Sequence, residues 1–200
     1  MREGFHDIPT GLIATTVTHL ELAPSAPPSA PSLPAGIHLK QVRGMDIGRY
    51  RRLFRLIGED WLWVSRLKMP DPKLQKILDA EETEVWLLRD GQADLGLCEL
   101  DFSAAPDSGE LAFFGVAPKL LGQGLARPMM VLALERAHRR NVHRFTVHTC
   151  TLDHPAALPF YQRMGFVPVR QEVEVMADPR LDGLLPETAA PHVPLIRPST

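Results

Sequence analysis

The most constraining feature of the sequence is the stretch of residues 110–137, in which the hydrophobic pattern changes period. Residues 111–116 form a short apolar and aromatic run, as expected for a strand that is buried on at least one face. From Leu125 onward the apolar residues recur at helical spacing, and Gly122 and Gly124 lie between the two patterns. The stretch therefore predicts a strand, a glycine-containing loop and a helix in immediate succession.

A strand, a glycine loop and a helix N-terminus together suit the binding of an anion. Glycine lets the backbone approach a ligand closely, and the N–H groups and dipole of the helix favour a phosphate at its N-terminus. The spacing differs from two familiar nucleotide-binding loops, because no Gly-Lys-Ser/Thr is present and no third glycine lies three residues after Gly124. A glycine pair before a helix is also common in plain tight turns, so this motif alone leaves the ligand open.

The loop and the start of the helix carry the spacing Lys119-x-x-Gly122-x-Gly124-x-Ala126. This spacing resembles the acyl-CoA signature of the GCN5-related N-acetyltransferases (GNAT), in which Gln or Arg usually stands at the place of Lys119. The difference is mild, because mainly backbone N–H groups hold the pyrophosphate in this family. The resemblance implies that this segment binds acetyl-CoA through Val116, Lys119, Leu120, Leu121, Gly122, Gln123, Gly124, Leu125 and Ala126.

A second motif reads His154-x-x-Ala157-x-x-x-Tyr161 and is followed by a Gly-Phe pair at residues 165–166. It resembles the GNAT segment that closes the cofactor site, whose usual form is Asn-x-x-Ala-x-x-x-Tyr, with His154 in the place of Asn. Because the two motifs occur in the family's order and separation, the chain is identified as a member of the superfamily over about residues 37–176. The resemblance implies that His154, Ala157 and Tyr161 also contact the cofactor.

The resemblance implies an α+β GNAT fold, a mixed central β-sheet flanked by helices. Residues 1–36 are predicted to hold an extra strand over residues 13–22 and a Pro-rich linker, and the sequence leaves open whether that strand docks on its own domain or on a partner's sheet edge. Residues 37–176 are expected to form the acetyltransferase domain. Residues 177–200 are predicted to be a Pro-rich C-terminal tail that carries enough Leu, Val and Ile to pack on the domain.

Acyl transfer from a thioester to an amine requires a base for the amine, stabilisation of the tetrahedral oxyanion and an acid for the departing thiolate. The resemblance implies that Tyr161 is the acid and that the backbone N–H of Val116 meets the oxyanion. Glu110 opens the central strand at the spacing at which the histone-acetylating branch of the superfamily has the glutamate that acts as general base. Strand alternation predicts that Glu110, Ala112, Phe114 and Val116 share one face.

The identity of the base stays open at this stage. Glu110 is either the base or a solvated strand end, and Glu99 on the neighbouring predicted strand is the second candidate, acting through water. Glu59, Trp61 and Trp63 are candidates for binding the acceptor amine, because indoles beside a carboxylate offer an apolar wall and a counter-charge. The alternative for this segment is a core-facing turn of helix with an acidic edge.

His148 and Cys150 fall on one face of a predicted strand, and Asp153 follows closely. The three residues suggest a Cys-His-Asp acyl-enzyme. The favoured alternative is that Cys150 is a small buried residue and His148 a satisfied polar one, because neighbours on one strand rarely form a nucleophile–base pair. A zinc site that combined His148 and Cys150 with His154 would lack a fourth ligand, so no metal is expected. Asp153 is predicted to cap the following helix.

Composition sets the remaining expectations. A net charge of −2 without a basic stripe gives no case for nucleic acid, no apolar stretch approaches the length of a membrane span, and two cysteines suit a reducing compartment. We therefore expect a cytoplasmic N-acyltransferase that passes the acetyl group of acetyl-CoA, without a metal, to the primary amine of a small molecule by direct attack in a ternary complex. The alternatives are a CoA-binding sensor or assembly module without turnover, and acyl transfer through Cys150. A homodimer is left open.

Overall fold

The structure is a computed structural model that describes residues 2–26 and 29–198, so residues 27 and 28 of the expected linker lie outside the described part. Within these residues the chain forms seven β-strands and five α-helices. The strands are β1 (Leu12–Leu22), β2 (Ile37–Val42), β3 (Thr83–Asp90), β4 (Ala93–Asp101), β5 (Ser108–Val116), β6 (Arg144–Cys150) and β7 (Val167–Ala177). The helices are α1 (Ile47–Gly58), α2 (Ser65–Lys68), α3 (Asp71–Asp79), α4 (Ala126–Arg139) and α5 (Ala157–Arg163).

The described strands form one mixed sheet in the order β2-β3-β4-β5-β6-β1-β7. Neighbouring strands run antiparallel except β5 and β6, which run parallel. The N-terminal strand β1 is an inner strand that pairs with both β6 and β7. The N-terminal strand therefore docks on its own domain, and the sheet includes residues on both sides of the expected boundary at residue 36.

Helices cover both faces of the sheet, as the alternation of strand side chains requires. On one face, called here the α1 face, Tyr50 and Phe54 of α1 share a buried cluster with Leu97 of β4. On the opposite face, called the α4 face, Met129 of α4 shares a second buried cluster with Cys98 of β4. The expected α+β architecture, a mixed sheet between helices, is confirmed.

Strands β5 and β6 pair only where they begin. Residues 108–110 of β5 lie beside residues 144–146 of β6, and beyond these pairs the two strands separate. The separation of two strands in the middle of a sheet exposes their backbone and opens a gap that connects the two faces. This gap is the feature of the fold that positions the candidate site.

A β-bulge in β5 changes which of its side chains share a face. Its extra residue is Ala112, because β5 advances by two residues where β4 advances by one. The prediction that Glu110, Ala112, Phe114 and Val116 share one face is therefore wrong, since one inserted residue inverts the alternation. Glu110 lies on the α1 face together with Phe113.

The tail that follows β7 is held by one buried ion pair. The guanidinium of Arg180 lies 2.7 Å from the carboxylate of Asp178 and donates to the carbonyl oxygens of residues 189, 190, 193 and 194. Leu185 and Ala190 share a third buried cluster with Leu62. The tail is thus packed against the segment that follows α1.

Local sequence signals account for several element boundaries. The side chain of Asp46 accepts the N–H of Arg49 at 2.8 Å and caps α1. Strands β3 and β4 form a hairpin, and Gly91 in its turn has a φ of 54°, a conformation that favours glycine. Pro128 is the third residue of α4, where its missing N–H is one of the donors that lack an intrahelical partner anyway.

Candidate active site

A cavity of about 390 Å³ lies where β5 and β6 separate. Phe113 and His148 line it on the α1 face, and Phe114 and Tyr161 line it on the α4 face. The cavity therefore passes between the two strands and connects the two faces of the sheet. Two reactants that approach from opposite faces can meet in it.

The loop from β5 to α4 begins at the cavity and presents free backbone donors. Val116 and Leu121 line the cavity, and both Gly122 and Gly124 have a φ of 75°, a conformation that favours glycine. No described carbonyl accepts the N–H of Gly122, Gly124 or Ala126. These donors lie before and at the N-terminus of a 14-residue helix, which suits an anionic group such as a pyrophosphate.

The remaining loop residues divide into exposed and buried ones. Lys119 and Gln123 are exposed, and the side-chain amide of Gln123 donates to the carbonyl of Lys119 at 2.8 Å. Leu120 and Leu125 are buried in the core of the α4 face, so only their backbone atoms face a ligand in the loop. Ala157, at the start of α5, lines the cavity as well.

The Tyr161 phenol is buried against aromatic side chains and reaches the cavity. Its ring centroid lies 6.4 Å from that of Phe114 and 6.1 Å from that of Phe166. Burial, together with the negative charge of Asp153, raises the pKa of Tyr161. A phenol in this setting stays protonated and is available as a proton donor, which is the role that the sequence predicts for it.

His148 and Glu110 form a pair at the point where the strands separate. Nδ1 of His148 lies 3.4 Å from Oε1 of Glu110, and this interaction raises the pKa of His148. His148 lines the cavity, and about half of its side chain is exposed. The contact of His148 with Glu110 arises from the parallel pairing of β5 and β6, which no local pattern indicates.

Glu99 lies in the core of the α1 face and does not line the cavity. Its side chain is 1% exposed, accepts a hydrogen bond from the hydroxyl of Tyr50 and is ion-paired with Arg66. The guanidinium of Arg66 in turn lies over the ring of Phe113. Glu99 therefore holds buried groups in place, and this position does not fit the predicted role as base.

The predicted acceptor residues have different positions. Trp61 and Trp63 line the cavity, and the indole N–H of Trp63 donates to Oδ1 of Asp153 at 3.0 Å. The ring of Trp61 lies 5.1 Å from that of His154, which also lines the cavity. Glu59 is absent from the lining, and its carboxylate lies 3.8 Å from an arginine of α1. The aromatic part of the predicted acceptor wall is therefore present, and its carboxylate is not.

Asp153 connects the end of β6 to the aromatic wall. Besides the hydrogen bond from the indole of Trp63, its carboxylate accepts one from the hydroxyl of Thr149 at 2.7 Å and one from the backbone N–H of Cys150 at 2.9 Å. The prediction that Asp153 caps α5 is wrong, because the N-cap of α5 is Ala156 and no side chain caps it. These three bonds hold the turn that places His154 beside the cavity.

The arrangement around Cys150 is not that of a nucleophile. Cys150 shares the α1 face with His148, but the carboxylate partner of His148 is Glu110. Burial, with the negative charge of Asp153, raises the pKa of Cys150. A nucleophilic cysteine needs a lowered pKa, so the favoured alternative, a small half-buried side chain, agrees with this geometry.

Strands β1 and β7 supply further lining, which no local pattern in the sequence indicates. Thr15 and Val17 of β1 and Glu174 and Met176 of β7 extend the cavity wall on the α1 face. No side chain in the described part of the chain pairs with the carboxylate of Glu174. These residues reach the site only because β1 and β7 join the sheet beside β6.

Two kinds of site are missing from residues 2–26 and 29–198. No three His, Cys, Asp or Glu side chains there come together in a group that could hold a metal ion. None of the helices formed by these residues is long and apolar enough to cross a membrane.

Comparison with known proteins agrees with this geometry. Residues 65–177 match a family model described as an acetyltransferase (GNAT) domain. The chain is 31% identical over 189 residues to the mycothiol acetyltransferase of Cellulomonas flavigena, a match that covers 86% of this chain and 50% of that protein. The chain thus spans about half the length of the curated relative that it matches.

Solved structures share the fold at low sequence identity. A GCN5-related N-acetyltransferase from Sphaerobacter thermophilus matches with a TM-score of 0.58 and 18% identity, over 82% of this chain and 51% of that one. An aminoglycoside acetyltransferase from an uncultured soil metagenomic sample, in complex with sisomicin, matches with a TM-score of 0.53 and 16% identity, over 65% and 88%. The family-model match covers more than half of the chain, and the cofactor-type loop, the split between β5 and β6 and the sheet topology accompany it. This chain belongs to the GNAT acetyltransferase family.

Proposed function

We propose that the protein transfers the acetyl group of acetyl-CoA to the primary amine of a small molecule by direct attack in a ternary complex. The observation that carries this proposal is the cavity through the sheet, which connects the free N–H groups of the β5–α4 loop with the aromatic wall on the α1 face. A cavity open to both faces lets a thioester and an amine meet without a covalent enzyme intermediate.

The loop residues fit an acyl-CoA by their chemistry. The N–H groups at Gly122, Gly124 and Ala126 suit the pyrophosphate, and Lys119 adds a positive charge at the surface nearby. The pantetheine and its thioester then run between β5 and β6. There the N–H of Val116 donates to the thioester oxygen as negative charge develops on it.

Proton transfer is assigned to two groups on opposite sides of the gap. The amine nitrogen attacks the thioester carbon, the C–N bond forms and the C–S bond breaks. The pair of His148 and Glu110 on the α1 face accepts the proton that the amine loses, and the phenol of Tyr161 on the α4 face gives a proton to the departing thiolate. His148 acts as the base because it lines the cavity, and Glu110 orients it.

The cavity wall favours a small acceptor with an apolar part. The α1 side is lined by Trp61, Trp63 and Phe113. Because the carboxylate of Asp153 already accepts a hydrogen bond from Trp63, this wall offers little polar surface to a sugar-like acceptor. Glu174 remains to attract a cationic amine. A total volume of about 390 Å³, which the thioester shares, also favours a small amine over a folded protein surface.

The direct test is release of free thiol from acetyl-CoA with a panel of amines, namely aralkylamines, polyamines, aminoglycosides, amino acids and lysine peptides. We expect turnover with a small amine, and Tyr161→Phe should lower kcat roughly 10²–10⁴-fold with little change in KM, since an acid acts in the transition state. Tyr50→Phe is the matched control, because it removes a buried phenol hydroxyl away from the cavity. If no amine is turned over while acetyl-CoA still raises Tm, the protein is a CoA-binding module and the proposal fails.

A further inference from the structure

Strand β7 is a long and open sheet edge. It spans Val167–Ala177, 11 residues, and no described strand pairs with its outer side. Four of its valines, Val167, Val169, Val173 and Val175, are 62%, 53%, 44% and 48% exposed. The chain turns away after the strand, with the N–H of Asp178 donating to the carbonyl of Gly11 at 3.0 Å. The tail therefore leaves the edge uncovered.

An edge of this length and apolar character invites pairing with another strand. The three charged residues of β7 are Arg170, Glu172 and Glu174, and all lie on the α1 face with the same spacing between successive charges. Along β7 one positive charge is followed by two negative charges, so repulsion between like charges does not by itself prevent pairing with a second copy. When the second copy runs antiparallel, the positive residue of each strand lies near a negative residue of the other.

The symmetry of a dimer limits the registers that are available. In an antiparallel pair of identical strands related by a twofold axis, facing residues share a face of the sheet and lie at equal distances from the axis. Full-length overlap of Val167–Ala177 places the axis at Glu172. Arg170 then faces Glu174 of the second copy, and this pair occurs twice. The longest register is thus also one in which opposite charges meet.

Moving the axis one residue toward the C-terminus makes Glu172 face Glu174 of the second copy, which is repulsive. Moving it one residue toward the N-terminus makes Arg170 face Glu172 of the second copy, but it shortens the overlap and places the β-bulge at Val169 two residues from the axis. In the full-length register Glu172 meets its own symmetry copy. Hydrogen bonds from Arg170 and His19 of its own chain stabilise this carboxylate and hold its pKa at about 2, and Arg170 is then shared between Glu172 of its own chain and Glu174 of the second copy.

We infer that two copies of this chain associate through antiparallel pairing of β7, with the axis at Glu172, into one continuous sheet. Pairing satisfies the outer backbone groups of the strand and brings Val169 and Val173 against the strand of the second copy. Because Glu174 also lines the cavity, Arg170 of the second copy lies beside the cavity wall. The partner is a second copy of this chain and the contact is isologous.

The test is sedimentation velocity of the full chain over a range of concentrations, with charge-reversal variants. Wild type should be dimeric, and Arg170→Glu and Glu174→Arg should each weaken the dimer about ten- to a hundredfold, since each puts like charges opposite each other twice. An equimolar mixture of the two variants should form a heterodimer of near wild-type affinity, because both facing pairs are then opposite in charge. Arg52→Glu on α1 makes the same change in net charge as Arg170→Glu, but away from the edge, and should have no effect.

Recovery in the mixture cannot come from misfolding of either variant, and the measurement does not depend on activity. A wild-type chain that stays monomeric at about 10⁻⁴ M overturns the inference, because stable homodimers have dissociation constants below that concentration. A dimer that is insensitive to both single variants also overturns it, because the contact then lies elsewhere.

Discussion

At the scale of single residues, the site separates two proton-transfer groups by their surroundings. Burial raises the pKa of Tyr161, so the phenol stays neutral and can give a proton. The interaction with Glu110 raises the pKa of His148 above the ordinary histidine value. Groups whose surroundings suit them to opposite tasks are typical of acid–base sites. The surroundings of Cys150 raise its pKa, whereas a nucleophilic cysteine needs a lowered one.

The pair of His148 and Glu110 predicts a specific pH dependence. Only neutral imidazole accepts a proton, so kcat for a weakly basic amine should fall as the pH drops through the raised pKa of His148. Glu110→Gln removes the main cause of that raised pKa, and the acid limb of the profile should move to lower pH. Glu59→Gln is the matched control, because Glu59 lies outside the cavity lining.

Two results of the pH measurement would count against His148 as the base. An acid limb that stays in place in Glu110→Gln would show that the pair does not set it. Complete loss of turnover in Glu110→Gln, with His148→Asn still active, would transfer the role of base to the carboxylate itself.

At the scale of the elements, the tail beside the aromatic wall depends on Arg180. The Asp178–Arg180 pair is almost fully buried, and Arg180 supplies the donors for four tail carbonyls. Arg180→Ala leaves a buried carboxylate without a cation, so the free energy of unfolding should fall by about 3–5 kcal/mol. Denaturant unfolding measures this loss, and limited proteolysis should cut the tail first.

The control for the tail lies in the tail itself. Arg197 pairs with Glu187 at 2.6 Å, but both side chains are more than half exposed. Arg197→Ala should therefore change stability by less than about 1 kcal/mol. Equal losses for Arg180→Ala and Arg197→Ala would contradict the assignment of Arg180 as the residue that holds the tail.

The helices and strands also show which features the sequence can predict and which it cannot. Features set by a few neighbouring residues, such as the cap at Asp46 and the turn at Gly91, can be predicted from sequence because their physical causes are local. The bulge at Ala112 depends on the register between two strands, and the composition of β5 does not specify it. One such residue was enough to invert the predicted orientation of Glu110.

The whole molecule explains why the candidate site was only partly predicted. The loop from Val116 to Ala126 and the Tyr161 motif are contiguous, so a family resemblance identifies them directly. The contact of His148 with Glu110 requires the parallel pairing of β5 and β6, and the lining by Glu174 requires β1 to lie between β6 and β7. These are long-range pairings, and periodicity in a single sequence does not contain them.

For the whole molecule, we propose that the gap between β5 and β6 brings the thioester and the amine together for direct transfer. The most direct measurement is rapid mixing of the protein with acetyl-CoA, first without and then with the preferred amine, while free thiol and the mass of the protein are followed. Direct transfer predicts no thiol release and no acetylated protein before the amine is added, then release of one thiol for each acetylated amine. A stoichiometric burst of thiol with an acetyl group on Cys150 would contradict it.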